Sequence, residues 1–333
     1  LALLAVAMAC VVVVLGAFTR LADAGLGCPD WPGCYGFVGI PMAQDTISTA
    51  EMRYPDAPYE FAKAWPEMVH RYFAATLGLV IVIIAGIAIA RRARPGQPLG
   101  LPLLLLGLVL VQGAFGAWTV TLKLWPQVVT AHLLGGFSIL TLLGLLTLRL
   151  GWQVPEARGE AQLAQRRLVP LAMLGLVFLV AQIALGGWTS SNYAALACPD
   201  FPTCQGEWWP QADFAHGFDV TQEVGPNYLG GQLYGDGRIA IHLSHRIGAM
   251  IVALILGVLA WRLLRTPVDW RLRNFGLAVV TALVLQVSLG IGNVVLSLPL
   301  AVATAHNAVG AALLMAVVSV NYRLLAATRT SGS

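Results

Sequence analysis

The chain has 333 residues, of which 58% are hydrophobic and only 11% charged, with a mean hydropathy of +0.74. A soluble domain carries about 25% charged residues, so an ordinary water-soluble enzyme is excluded, and several apolar runs reach the roughly 20 residues that cross a ~30 Å hydrocarbon core. The net charge of +4 forms no continuous basic stripe, because the arginines sit in short connectors, and nucleic acid is therefore not an expected partner.

In chain order, hydropathy predicts eight spans, over about 1–19, 67–90, 101–121, 128–148, 169–189, 239–260, 274–296 and 301–322. The chain opens on Leu1 without a Met, so a short leader is expected to have been lost. No A-x-A cleavage site follows the first apolar run, which reads as a span and not as a signal peptide. One side of the predicted membrane collects 13 basic residues against Glu156, Glu160 and Asp269, and the other holds 7 basic and 13 acidic residues. The Arg-rich side is the cytoplasmic one, with both termini. The long loops 20–66 and 190–238 then face outward, and they exceed what a connector needs.

The sequence repeats itself. GAFTRLADAGLGCPDWPGC (Gly16–Cys34) aligns with GGWTSSNYAALACPDFPTC (Gly186–Cys204) at an offset of 170. EMVHR (Glu67–Arg71) aligns with HLSHR (His242–Arg246) at 175, and QGAFGAWTVTLKLWPQVVTAH, ending at His132, with QVSLGIGNVVLSLPLAVATAH, ending at His306, at 174. Four spans per half make the halves parallel repeats about a pseudo-twofold axis along the membrane normal. The expected fold is all-α: eight transmembrane helices as two four-helix bundles, over 1–150 and 169–333, joined by a cytoplasmic linker at 151–168.

Four of the six histidines obey the repeat, His70 with His245 and His132 with His306. All four lie near the outer ends of their spans. Within each half, two spans offer an imidazole to the bundle interior, where such folds build cofactor sites, and two opposed imidazoles suit the axial positions of a haem iron. Zinc fits less well, since two His are too few ligands, and no C-x-x-C-H indicates covalent haem attachment. Arg71 and Arg246 each follow a candidate ligand; pairing with haem propionates and snorkelling to headgroups are both open to them. The repeat breaks where Glu67 meets His242. Glu67 shares a helix face with His70, and an intramembrane carboxylate is costly without a task. One half is thus expected to do chemistry and the other to carry electrons, unless Glu67 is a headgroup-level acid. His245 is preferred to His242 as ligand on the repeat, and His216 is expected to be structural. Cys28 with Cys34 and Cys198 with Cys204 are expected disulfides on the outer side, a redox role for the first pair being open; Cys10 is expected to pack inside its span.

The strings TRLADAGLGCPDWPGC, WPEMVHR, TAHLLGG, ACPDFPTC, HLSHR and TAHNAVG resemble the haem A synthase family, from the first span to the last. The resemblance implies eight spans in two similar halves and oxidation of the C8 methyl of haem O to a formyl group, giving haem A for terminal oxidases. By position, His70 and His132 would hold the substrate haem, His245 and His306 a haem b, and Glu67 would be the acid required for conversion. Cys28 and Cys34 match the family's outer-loop pair, whereas Cys198 and Cys204 match a pair present in only some members. The implied setting is the bacterial cytoplasmic membrane, among lipid, a haem O synthase and oxidase assembly factors. Two rivals stand beside this reading. A di-haem electron carrier accounts for four His but not for Glu67 or the Cys loops, and a transporter with parallel repeats lacks matching Gly/Pro breaks at mid-span.

Overall fold

The computed structural model describes residues 1–151, 159–266 and 268–329. Residues 152–158 of the expected linker, with Glu156 and Arg158 of the charge tally, lie outside the described residues. Among the described residues the chain is all helical: α1 (Ala2–Leu21), α2 (Gln44–Arg53), α3 (Phe61–Ala90), α4 (Gly100–Thr121), α5 (Pro126–Gly151), α6 (Gly159–Ser191), α7 (Phe214–Gly217), α8 (Gly235–Arg265), α9 (Trp270–Val295) and α10 (Leu300–Arg329). All but α2 and α7 are long and apolar enough to cross a membrane.

Hydropathy locates the middle of each span and cuts its ends short. α3 begins at Phe61 rather than near 67, α6 at Gly159 rather than near 169, and α10 runs on to Arg329. A helix keeps its backbone hydrogen bonds beyond the hydrocarbon as long as its end turns are solvated or packed, and charged residues such as Lys63, Glu160 and Arg323 interrupt the apolar signal there. Much of the stretch expected as a linker, from 159 onward, is therefore helix. α9 starts on a capped turn: Asp269 accepts from the N–H groups of Arg271 and Leu272 at 3.0 and 3.2 Å, and its carboxylate also pairs with the buried Arg323 of α10 at 2.8 Å.

Helix neighbours fall into two closed circuits. α1 packs on α3 and α5, and α4 packs on the same two; α6 packs on α8 and α10, and α9 packs on those two. Between the circuits, α1 meets α10, α5 meets α6, and α5 meets α10. Lipid tails are as apolar as Leu, so close fit drives this packing. A Cβ added at Gly175 would come within 2.8 Å of Leu256, and one at Gly144 within 2.9 Å of Met315. Leu79, Leu110, Val177, Leu254 and Val284 stay exposed on the outer surface. Cys10 is exposed as well, which corrects its expected place among packed residues: mid-span position does not decide which helix face a residue occupies.

The repeat is visible in the backbone. The described non-glycine residues with left-handed φ pair off at the sequence offsets: Asp23 (52°) with Tyr193 (55°), Tyr35 (55°) with Gln205 (55°), Lys123 (55°) with Ser297 (57°), and Leu124 (64°) with Leu298 (59°). Such conformations are uncommon outside glycine, so their recurrence with different side chains reflects shared turn geometry. Two hydrogen bonds join repeat mates directly: Arg20 Nη2 donates to the Ser190 carbonyl at 2.6 Å, and the Tyr193 hydroxyl donates to Asp23 Oδ1 at 2.9 Å.

Candidate functional site

Each of the four repeated histidines sits within about three turns of the start of its helix, half-buried, and opposite a glycine of a neighbouring helix. A Cβ at Gly16 of α1 would lie 2.9 Å from the His70 ring, and one at Gly186 of α6 3.2 Å from His245. Gly116 of α4 and Gly290 of α9 stand in the same relation to His132 and His306, at 3.3 and 3.1 Å. An alanine in any of these places would press on an imidazole. His70 and His132 are close enough to interact electrostatically, as are His245 and His306. His70 and His132 thus stand on α3 and α5 of one helix circuit, and His245 and His306 on α8 and α10 of the other. Nδ1 of His132 is buried without a hydrogen-bond partner, and a buried polar atom left so is costly, whereas the His70 and His306 rings have the backbone of Val12 and Gln286 beside them. Nowhere among the described residues do three His, Cys, Asp or Glu converge as a metal cage needs. Paired imidazoles with no third donor fit the axial ligation of a haem iron.

The Cys loops lie on the first turns of α3 and α8. Cys28–Cys34 and Cys198–Cys204 are disulfides, and each closes a hairpin in which an aspartate binds the turn. Asp30 accepts from the N–H groups of Tyr35 (2.6 Å) and Gly36 (2.8 Å); Asp200 accepts from those of Gln205 (2.6 Å) and Gly206 (3.0 Å), and from the Thr203 hydroxyl. The Thr203 hydroxyl and these N–H groups hold the Asp200 carboxyl below its usual range. Gly27 lets the first loop meet the start of α3 so closely that a Cβ would strike the Lys63 carbonyl. Behind it, Tyr35 is fully enclosed, edge-on to Tyr54 and Tyr59, with its hydroxyl donating to the Pro58 carbonyl at 3.0 Å.

Burial, reinforced by the charge of Glu60, pushes the Tyr35 hydroxyl up from the usual 10 to about 12. A raised acid pKa means that the folded loop favours the neutral phenol. Its contribution to stability is complete below pH 10 and is lost as the pH rises toward 12. In a titration followed at 295 nm, Tyr35→Phe is expected to remove a late-ionising tyrosine; an unchanged curve would contradict this.

Glu67 lies inside this assembly, 4% exposed. One carboxylate oxygen accepts the Cys28 N–H at 2.9 Å, and the other pairs with Arg71 Nη2 one turn along α3. Arg71 also donates to the carbonyls of Asp30 (3.0 Å) and Gly33 (2.5 Å). In the second half, Arg246 donates to the carbonyls of Cys198 (3.1 Å), Asp200 (2.7 Å) and Thr203 (2.7 Å). Both arginines grip the disulfide hairpins, a role the sequence does not suggest. His242, the counterpart of Glu67, is buried with Nδ1 3.0 Å from the Ala194 carbonyl, so Nδ1 carries the proton and donates. The first half places a carboxylate against a loop N–H where the second places an imidazole against a loop carbonyl. His216 lies in α7, stacked on Tyr234 and accepting its N–H at 3.3 Å.

Arg246→Lys is expected to loosen the second hairpin by about 1.5–3 kcal/mol, since a lysine cannot span three carbonyls and bonds to charged groups are worth that much. Alkylation of Cys198 and Cys204 during graded reduction would report it as earlier labelling; an unshifted curve would show that the grip is not needed.

Sequence reasoning does not single out three glutamines that stand beside the histidines. Gln112 Nε2 donates to the His132 carbonyl at 2.6 Å, Gln286 Nε2 lies 3.2 Å from His306 Nε2, and Gln182 Nε2 lies 3.0 Å from His245 Nδ1. The signal is present: Gln112 and Gln286 open the repeated strings, and amides are rare within apolar runs.

The family model COX15-CtaA, described as cytochrome oxidase assembly protein, matches residues 1–318. The Heme A synthase of Shewanella oneidensis is 47% identical over 94% of this chain and 92% of its own length. Those of Caulobacter sp. strain K31 and Paracoccus denitrificans are 31% and 30% identical, over 91% and 90% of this chain and 89% and 80% of their own. The match runs from the first long helix into the last, and the chain belongs to the COX15-CtaA family of cytochrome oxidase assembly proteins.

Proposed function

We propose that this chain is a haem A synthase, an oxidoreductase that converts the C8 methyl of haem O to the formyl group of haem A. Family membership and the 47% identity to a Heme A synthase support the activity. The observation in the molecule that carries it is the pairing of two similar His sites with one buried carboxylate, Glu67, in one half only.

In this reading the halves 1–150 and 169–333 are parallel repeats, two four-helix bundles side by side, with 151–168 between them. Support comes from the two helix circuits, the repeat-paired left-handed residues and the bonds from Arg20 to Ser190 and from Tyr193 to Asp23. His70 and His132 hold the substrate haem O. His245 and His306 hold a haem b, which when bound supplies a one-electron carrier. The tie between His242 and the Ala194 carbonyl favours His245 as the ligand. Arg71 and Arg246 stand at the outer ends of the sites, and Arg246 Nε, buried without a partner, is a donor available to a propionate.

Glu67 is a preorganised negative charge one helical turn from His70, fixed at both oxygens before any substrate arrives. Two axial imidazoles leave no open position on iron, so reaction is directed to the edge of the ring. There Glu67 would stabilise positive charge as an external one-electron acceptor withdraws electrons from the ring, and would take the proton released as water adds. An electron carrier with two haems needs no such group. The protein is placed in the bacterial cytoplasmic membrane, termini inside and Cys loops outside, alongside a haem O synthase and oxidase assembly factors. A topology reporter fused after Ser333 tests the inside assignment. Coexpression with a source of haem O, followed by chromatography and mass analysis of extracted haems, tests the activity. Haem A that is absent without this chain supports the synthase; haem b with haem O untouched supports the carrier.

A further inference from the structure

Besides the contact of α5 with α10, two seams join the halves, α1 with α10 and α5 with α6, and the repeat maps one onto the other. The α5–α6 seam is shut. A Cβ at Gly187 would come within 3.1 Å of the Thr130 side chain and 3.0 Å of Leu133, and the Thr130 and Ser191 hydroxyls lie 3.3 Å apart. Trp188 is buried, its indole N–H donating to the Gly217 carbonyl of α7 at 2.9 Å. The α1–α10 seam is open. Ala17, Phe18 and Leu21 stand where the other seam has Gly187, Trp188 and Ser191, and the two helices line a cleft of about 540 Å³. Val14 and Phe18 face it from α1, and Ala301, Thr304, Ala305 and Ala308 from α10; Val14 and Ala301 are exposed.

Two polar oxygens here are left without partners. Thr304 Oγ1 and Asn307 Oδ1 are buried and make no hydrogen bond, and their spacing puts them on one side of α10. Their repeat mates are Thr130, which has Ser191 beside it, and Leu133, which has no polar group. Thr141, Thr147 and Thr189 each bond the carbonyl one turn back, at 2.7–3.0 Å. Buried polar atoms beside apolar surface are costly unless a ligand supplies the partner.

We propose that the α1–α10 cleft is the docking site of a membrane quinone, the acceptor that oxidation of haem O requires. This rests on the proposed activity and on haem b in the second half. The cleft is of ligand size. Its lining holds no charged side chain, so it suits a neutral head and not a lipid phosphate. The Thr304 hydroxyl and the Asn307 amide N–H donate to a quinone carbonyl, and the Asn307 oxygen accepts from the quinol O–H once it is reduced. His306 projects from a different face of α10, against Gly290, so one helix, about 10–12 Å across, separates it from the cleft. Turning a methyl into a formyl group takes up one water and releases four electrons and four protons. Two quinones, docking in turn, leave with them as two quinols, and the water oxygen stays in the product.

The test uses the purified full-length protein, freed of native quinone, with decylubiquinone as the probe. An azido-quinone photolabel is expected to attach to peptides of α1 and α10 and to be displaced by decylubiquinone. Chemically reduced haem b is expected to be reoxidised under argon by decylubiquinone and by ferricyanide. Thr304→Val with Asn307→Leu should raise the quinone concentration for half-maximal rate about 10-fold, and Ala301→Phe should block both labelling and quinone reoxidation. Both variants should keep their haem content and ferricyanide rate, which shows them folded. Wild-type quinone rates in both variants would overturn the proposal, as would a wild type that ferricyanide reoxidises and quinone does not. Retained phospholipid, or a second copy cross-linked at position 301, in place of quinone labelling would also overturn it. Labelled α1 and α10 in a chain that binds no haem would uphold the docking site and remove the proposed function instead.

Discussion

Glu67→Gln is expected to stop haem A formation while leaving the protein folded and haem-bound. The substitution keeps the shape of the side chain, and its carbonyl still accepts the Cys28 N–H. The Arg71 guanidinium retains the carbonyls of Asp30 and Gly33, so the hairpin keeps its grip on α3. What disappears is one negative charge in a buried place. General acid–base and charge-stabilising groups of this kind are worth about 10²–10⁴-fold, and haem A yield should fall by that factor, with haem O or a hydroxylated intermediate accumulating. Chromatography of extracted haems reads the outcome directly. A normal yield of haem A would show that the carboxylate has no part in the chemistry. Glu67→Asp separates charge from reach: it keeps the charge but is one methylene short of its two partners, and should retain part of the activity.

Alanine at the histidines is expected to divide the two sites. His245→Ala and His306→Ala should each lose the resident haem, and His70→Ala and His132→Ala should keep it while failing to bind haem O. In all four, conversion should fall by more than the 10- to 100-fold that follows loss of an outer partner. Haem content per chain, measured as the pyridine haemochrome, tells the classes apart. If His245→Ala keeps a full complement and His242→Ala loses it, the ligand is His242 and its bond to the Ala194 carbonyl is not retained in the loaded protein. Equal losses in all four would remove the distinction between substrate and resident haem.

The eight spans are legible because twenty consecutive apolar residues have few other uses, and the repeat is legible because C-P-D-aromatic-P and T-A-H recur at nearly constant offsets. Helix ends are not legible: Lys63 and Pro66 interrupt the first turns of α3, and those of α6 are polar. The environment of Glu67 depends on the fold bringing Cys28 to a residue 39 positions later, a separation no periodicity encodes. The same holds for Arg71 and Arg246, whose position beside a histidine suggests a ligand's anionic group, while the folded loops present backbone carbonyls to them first. Gln182 escapes notice for another reason. Its repeat mate is Val12, so alignment of the halves averages it away, and it gains meaning only once His245 is seen within hydrogen-bond distance.

The hairpins on α3 and α8 are held by two unrelated means, a disulfide and a set of polar contacts from an arginine and an aspartate. A reductant severs the first and leaves the second untouched, since none of those contacts involves sulfur. The loops therefore have a shape before their cysteines are oxidised, and each pair of thiols is delivered ready to close. Correct pairing needs no search among alternatives, so oxidation can come late in the life of the chain, after the helices have assembled.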